Sequence, residues 1–82
     1  MSIIAREPIE VLASFKANSL RPLQFTRGKR TYIIKTIDLV FSERKGRDKI
    51  TYYAVHDGTN SFRLAYSAEA QSWNIETEEA LL

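Results

Sequence analysis

The 82-residue sequence predicts an all-β protein, a small antiparallel meander forming a curved sheet or a partly open barrel of five to six strands. Three observations carry this reading. Apolar and polar residues alternate from Leu23 to about Glu76 with the period of two that a half-buried strand requires. Glycine-containing turn sequences break the alternation at Gly28-Lys29 and Asp57-Gly58-Thr59-Asn60. Between those turns the apolar phase slips within one long run, as it does in strands that bend.

Taken in order, Ile9, Val11, Ala13 and Phe15 alternate as a strand would, although Pro8 is also placed to open a helix with Leu12 and Phe15 on one face. The strand is the favoured reading, followed by a loop from Asn18 through Pro22. Leu23 to Ile34 reads as a hairpin. Glycine at the first central position suits a type II′ turn, and the register sets Arg27 opposite Arg30, Phe25 opposite Tyr32 and Leu23 opposite Ile34. From Thr31 to Phe41 one strand is expected to slip at Lys35-Thr36, so that Tyr32 and Ile34, then Ile37, Leu39 and Phe41, point inward. Ile50–His56 and Ser61–Tyr66 form a second hairpin. Thr51, Tyr53, Val55, Phe62, Leu64 and Tyr66 take its core face, and Ile50, Tyr52, Ala54, His56, Ser61, Arg63 and Ala65 take the other. Ser72–Glu76 closes the set with Trp73 and Ile75 inward. One domain spans residues 1–82, with 1–6 and 77–82 expected to fray.

Composition narrows the function classes. At 44% hydrophobic and 27% charged, the chain is an ordinary globular sequence. It has no cysteine, hence no disulfide, thiolate metal site or cysteine nucleophile. Its one histidine, His56, has no second histidine to share a metal, and no strand-turn-helix elbow presents a serine to it. Beside Asp57-Gly58 it reads as a hairpin-end residue. The carboxylates are scattered, and three isolated glycines do not make a phosphate or dinucleotide loop. No catalytic residue, metal or small-molecule cofactor is expected, and the chain reads as a non-enzyme. It lacks both a membrane-length apolar run and a signal-like start, so a cytoplasmic bacterial location is expected.

The net charge of +2 conceals an asymmetry. Residues 27–49 carry eight basic side chains against three acidic ones, whereas residues 50–82 carry Arg63 against five acids. The basic residues fall into two groups, Arg27, Lys29 and Arg30 at one hairpin tip and Arg44, Lys45, Arg47 and Lys49 in a later loop. A straight strand of about eleven residues separates them by roughly 35 Å. Arg27 opposite Arg30 opposes like charges, a cost that an anionic partner would relieve. Tyr52 and Arg63, with His56 nearby, are the candidates to stack on bases or anchor a peptide from the non-core face. These nine residues form the candidate nucleic-acid surface. The alternative is a protein-interaction or self-assembly module using an exposed strand edge or the Tyr52 face.

The order of residues also resembles a family of small uncharacterised bacterial β-domain proteins, often encoded near error-prone Y-family DNA polymerases. Glu7-Pro8-Ile9-Glu10-Val11 matches its opening strand, and Pro22, Phe25, Gly28, Arg30 and Tyr32 match its first hairpin. Tyr53-Ala54-Val55, Gly58, Phe62-Arg63-Leu64-Ala65-Tyr66 and Trp73 match the later strands. Arg27 and Phe41 stand where that pattern has tryptophans. The resemblance implies a DNA-repair context, and the family has no established activity to carry over.

Overall fold

The computed structural model describes residues 2–80, with side-chain surroundings from Arg6 onward. Seven strands, rather than five to six, form one antiparallel sheet: β1 (Ser2–Lys16), β2 (Ser19–Arg27), β3 (Arg30–Ile33), β4 (Thr36–Lys45), β5 (Asp48–His56), β6 (Asn60–Ser67) and β7 (Ser72–Ala80). Their order is β3-β2-β1-β7-β6-β5-β4, and no ladder joins the two outer strands. The all-β antiparallel expectation holds, and the barrel expectation gives way to an open, curled sheet.

The first strand shows why the sheet curls. Fifteen residues would reach about 50 Å if straight, yet the longest dimension of the molecule is 36 Å. Register shifts between Ile3 and Glu7 and between Leu12 and Ala13 bend β1, so that its first half pairs with β7 and its second half with β2. Such bulges add local twist. Pro8 sits past the end of the β2 ladder, where its missing N–H leaves no gap. The 9–16 segment is therefore strand, not helix.

The expected loop at residues 18–22 is instead a two-residue turn. Ala17 and Asn18 both have positive φ, 50° and 63°, the backbone of a type I′ hairpin. Pro22 lies inside β2 and Leu23 is the extra residue at the bulge; Leu23 stands opposite Ile34 as expected, accepting its N–H, but its side chain is exposed rather than part of the core. The Gly28 turn adopts the expected register, with Arg27 opposite Arg30 and Phe25 opposite Tyr32.

Ile34 donates its N–H to Leu23 of β2, and the next residue, Lys35, donates to His56 of β5. The predicted slip is thus a change of partner that splits the long run into β3 and β4. A second shift at Asp38 pairs Val40 with Tyr53 and Phe41 with Tyr52. It corrects the inward assignment of Leu39 and Phe41: Val40 faces inward, and Leu39 and Phe41 face the convex side.

Curling puts strands distant in the sheet order into contact. Phe25 of β2 meets Phe62 of β6 edge-on at 5.0 Å, and Tyr32 of β3 meets the same ring at 5.3 Å. The concave face buries Phe25, Tyr53, Val55, Phe62, Leu64 and Ile75, with Trp73 and Tyr66 packed alongside. This is the predicted core face of the second hairpin. The tail after Glu76 continues as paired strand to Ala80, correcting the expected fraying there; Met1 and residues 81–82 lie outside the described residues.

Alanine at the positive-φ position 17 is a poor choice of residue, since only glycine and asparagine adopt that conformation readily. Replacing Ala17-Asn18 by Asn-Gly is expected to raise unfolding stability by about 1 kcal/mol, read in equilibrium urea denaturation.

Candidate binding site

Turn placement decides which basic residues meet. The β1–β2, β4–β5 and β6–β7 turns share one end of the roll, where Ala68 donates its N–H to the Lys49 carbonyl and Asp48 accepts from the Ser67 hydroxyl and the Glu69 amide. Those bonds hold the Asp48 carboxyl below its ordinary range, the Ser67 hydroxyl contributing most. The Gly28 turn lies at the opposite end with the β5–β6 loop, to which it is tied through Glu78. The two basic groups therefore stand apart.

Three of the nine predicted residues, Arg27, Tyr52 and Arg63, are committed internally, and Lys45 pairs with Glu43 on the surface. Arg27 binds Glu78 at 2.7 Å and Glu7 at 3.2 Å, and Asn60 donates to the other oxygen of Glu78. The Glu78 bond leads the effects that raise the Arg27 pKa, above those of Glu7, while burial lowers it. This polar cluster covers one mouth of the core beside Phe25 and Phe62, so Arg27 already has the anion that its opposition to Arg30 called for. Tyr52 is only 3% exposed, against the expectation of an open ring. Phe41 stacks on it at 4.9 Å, the Arg63 guanidinium lies 4.6 Å from its centroid, and its hydroxyl donates to Glu43 at 2.8 Å. The Tyr52 hydroxyl and Lys45 hold Glu43 below its ordinary range. Arg63 also contacts Phe41 at 5.2 Å and Glu76 at 3.4 Å. Glu76 is the extra residue of a β7 bulge, and it also binds Arg6.

Lys29 and Arg30 remain exposed at the Gly28 end, and Arg44, Lys45, Arg47 and Lys49 at the other. His56 has Thr36 Oγ1 on Nε2 and Asp38 Oδ1 at 3.9 Å from the same nitrogen, while Nδ1 is buried without a hydrogen bond among the described residues. A nucleophile and a carboxylate on one ring nitrogen do not form a proton relay, which needs them on opposite nitrogens. Among the described residues no cluster of three metal-ligating side chains occurs, and no helix is long and apolar enough to cross a membrane.

The feature that sequence reasoning missed is a seam. The short β3 pairs only with residues from Gln24 onward, so Ser19–Pro22 of β2 have a partner on the β1 side alone. Opposite them runs β4, an outer strand paired only with β5. No Cα of β2 comes within 8 Å of a Cα of β4. Two adjoining clefts of about 410 and 340 Å³ fill the gap. Leu20, Val40 and Tyr53 line both, with Phe15 and Tyr66 in the larger and Ile37 in the smaller. Phe15 is 68% exposed and Val40 50%, and Leu39 and Phe41 flank them on the outer face. Inside the seam the Tyr53 hydroxyl donates to the Leu20 carbonyl at 2.8 Å, satisfying a β2 group that no strand reaches. Exposed alternation in β4 was the available sequence signal, but it reads identically in a strand paired on both sides.

Burial raises the phenol pKa of Tyr53, and burial with the Glu43 bond raises that of Tyr52, above the ordinary value of 10.0. A raised phenol pKa favours the neutral ring in the fold, so this stability is complete below pH 10.0 and is lost as pH rises through the higher folded values. Absorbance titration should find Tyr52 and Tyr53 ionising above pH 10.0, with melting temperature falling over that interval. Tyr53→Phe should abolish one late step and cost about 0.5–1.5 kcal/mol in urea denaturation.

No family model matches the chain, and neither a search of curated protein sequences nor one of solved structures finds a match.

Proposed function

We propose that this protein is a non-enzymatic interaction module that binds a protein partner along the seam between β2 and β4. The observation that carries the reading is the pair of facing strand edges, neither paired with another strand, over an apolar floor. Exposed strand edges accept further strands through main-chain hydrogen bonds, and apolar pockets beneath them select side chains. Large apolar side chains gathered on and beside an edge, here Phe15, Leu39, Val40 and Phe41, are what partner surfaces use.

A nucleic-acid role rests on different residues. Arg44, Arg47 and Lys49 stand exposed at the β4–β5 turn, which supports phosphate contacts at that end, but the Tyr52 ring is buried and offers no base-stacking surface. Such binding would fall steeply with salt, whereas an apolar edge contact tolerates it.

One comparison decides between them. The full chain and its Val40→Asp variant are immobilised, and partners are captured from the native cell after nuclease treatment and washing at about 0.5 M salt. Val40 is half exposed, so the variant should keep the wild-type circular dichroism and melting temperature. The proposal expects a captured protein that survives nuclease and salt and is lost with Val40→Asp. Loss of capture from the wild type on nuclease treatment, or equal capture by both chains, contradicts it.

A further inference from the structure

Resting on that reading, we infer that the seam takes one extended segment of a partner protein, inserted as an additional strand between β2 and β4, and that this segment carries a carboxylate side chain at the end of the seam next to Lys49 and Arg44. Spacing is the first support. One strand between two others needs two inter-strand intervals, about 9.6 Å, and the facing Cα atoms of β2 and β4 stand more than 8 Å apart while lining common clefts. A direct β2–β4 pair would need about half that spacing.

Hydrogen-bond demand is the second. No strand pairs with Ser19–Pro22 or with β4 on the seam side; on β2 only alternate groups face it, with the Leu20 carbonyl taken by Tyr53 and no N–H on Pro22, so β4 supplies most of the free backbone groups. An entering backbone supplies both donors and acceptors, which a small apolar ligand or a nucleic-acid base does not do in a repeating pattern.

Charge is the third. The only charged residues lining the two clefts are cations, Lys49 in the larger and Arg21 in the smaller. Arg44 stands directly opposite Lys49 on the strand pair, on the face that carries Val40 and Tyr53. Among the described residues neither Arg44 nor Lys49 has an ion-pair partner, unlike Lys45, which holds Glu43. Two opposed, unpaired cations on the inward face favour an acid beside them and repel a base. Leu20, Val40, Ile37 and Tyr53 offer only apolar contact to the remaining inward side chains. The segment recognised is thus alternately apolar and polar, with an acidic residue in phase with the apolar ones.

The test uses the full chain and the peptide Glu-Thr-Val-Thr-Val-Thr-Glu, which places a carboxylate at the basic end whichever way it runs. Trp73, the single tryptophan, packs on Tyr53 and Tyr66 at 5.4 and 4.8 Å and so reports occupancy through its fluorescence. Saturable binding is expected, about tenfold weaker when lysines replace both glutamates and abolished when alternate backbone nitrogens are methylated. Arg44→Glu with Lys49→Glu should invert the preference between the two peptides. Equal affinity for the acidic and basic peptides, indifference to N-methylation, or no saturation up to millimolar peptide overturns the inference. So does a concentration-dependent dimer abolished by Val40→Asp, which assigns the edge to a second copy, or competition by a single-stranded oligonucleotide. If the peptide fails while Val40→Asp still loses a captured protein, the interaction reading stands and only the acidic-strand inference falls.

Discussion

Between Ile34 and Lys35 the backbone changes hydrogen-bonding partner, from Leu23 on β2 to His56 on β5. The two strands so joined are the outer strands of the sheet, at opposite ends of its order. A chain that bonds both edges within two residues forces the sheet to curl until those edges are neighbours. The concave core follows, since only a curled sheet lets Phe62 of β6 reach Phe25 and Tyr32. The seam follows as well: β3 ends with its fourth residue, and nothing replaces it beside Ser19–Pro22.

Closing the seam would satisfy more backbone and bury more apolar surface, and the chain contains features that oppose closure. Pro22 has no N–H to donate at that edge. Asp38 inserts an extra residue in β4 between Ile37 and Leu39, beside the seam, and such bulges bend the strand and add local twist. Tyr53 fills part of the gap from within and supplies the one donor that Leu20 needs. Small domains usually blunt free edges with charge. Here β4 has Asp38, Glu43, Arg44 and Lys45 toward its ends, and leaves Leu39-Val40-Phe41 bare in the middle.

Local chemistry made the hairpins at Gly28 and Asp57-Gly58 legible, because turn residues and apolar pairs agreed on one register. The β1–β2 turn escaped notice because Ala17-Asn18 carries positive φ without glycine, and Pro22 imitated a loop. Leu39 and Phe41 were misassigned because a one-residue bulge reverses every side chain beyond it, and Asp38 gives no compositional sign of one. The basic residues were visible as a group, but their availability depends on contacts 20 to 51 residues away, such as Arg27 with Glu7 and Glu78. The seam was illegible for a related reason. It consists of strand pairs that are not made, and an unpaired strand has the same alternation as a paired one.

Amide hydrogen exchange on the free chain tests the central claim most directly, since it counts which backbone groups have partners. With an open seam, exchange should be fast at the Leu20 amide, which points away from β1, and at the β4 amides pointing away from β5. Tyr53, Leu64 and Ile75, in the buried centre of β5, β6 and β7, should open only with global unfolding. Matching slow exchange along both β2 and β4 would mean that their edges are bonded to each other, and would contradict the open seam on which the functional reading stands.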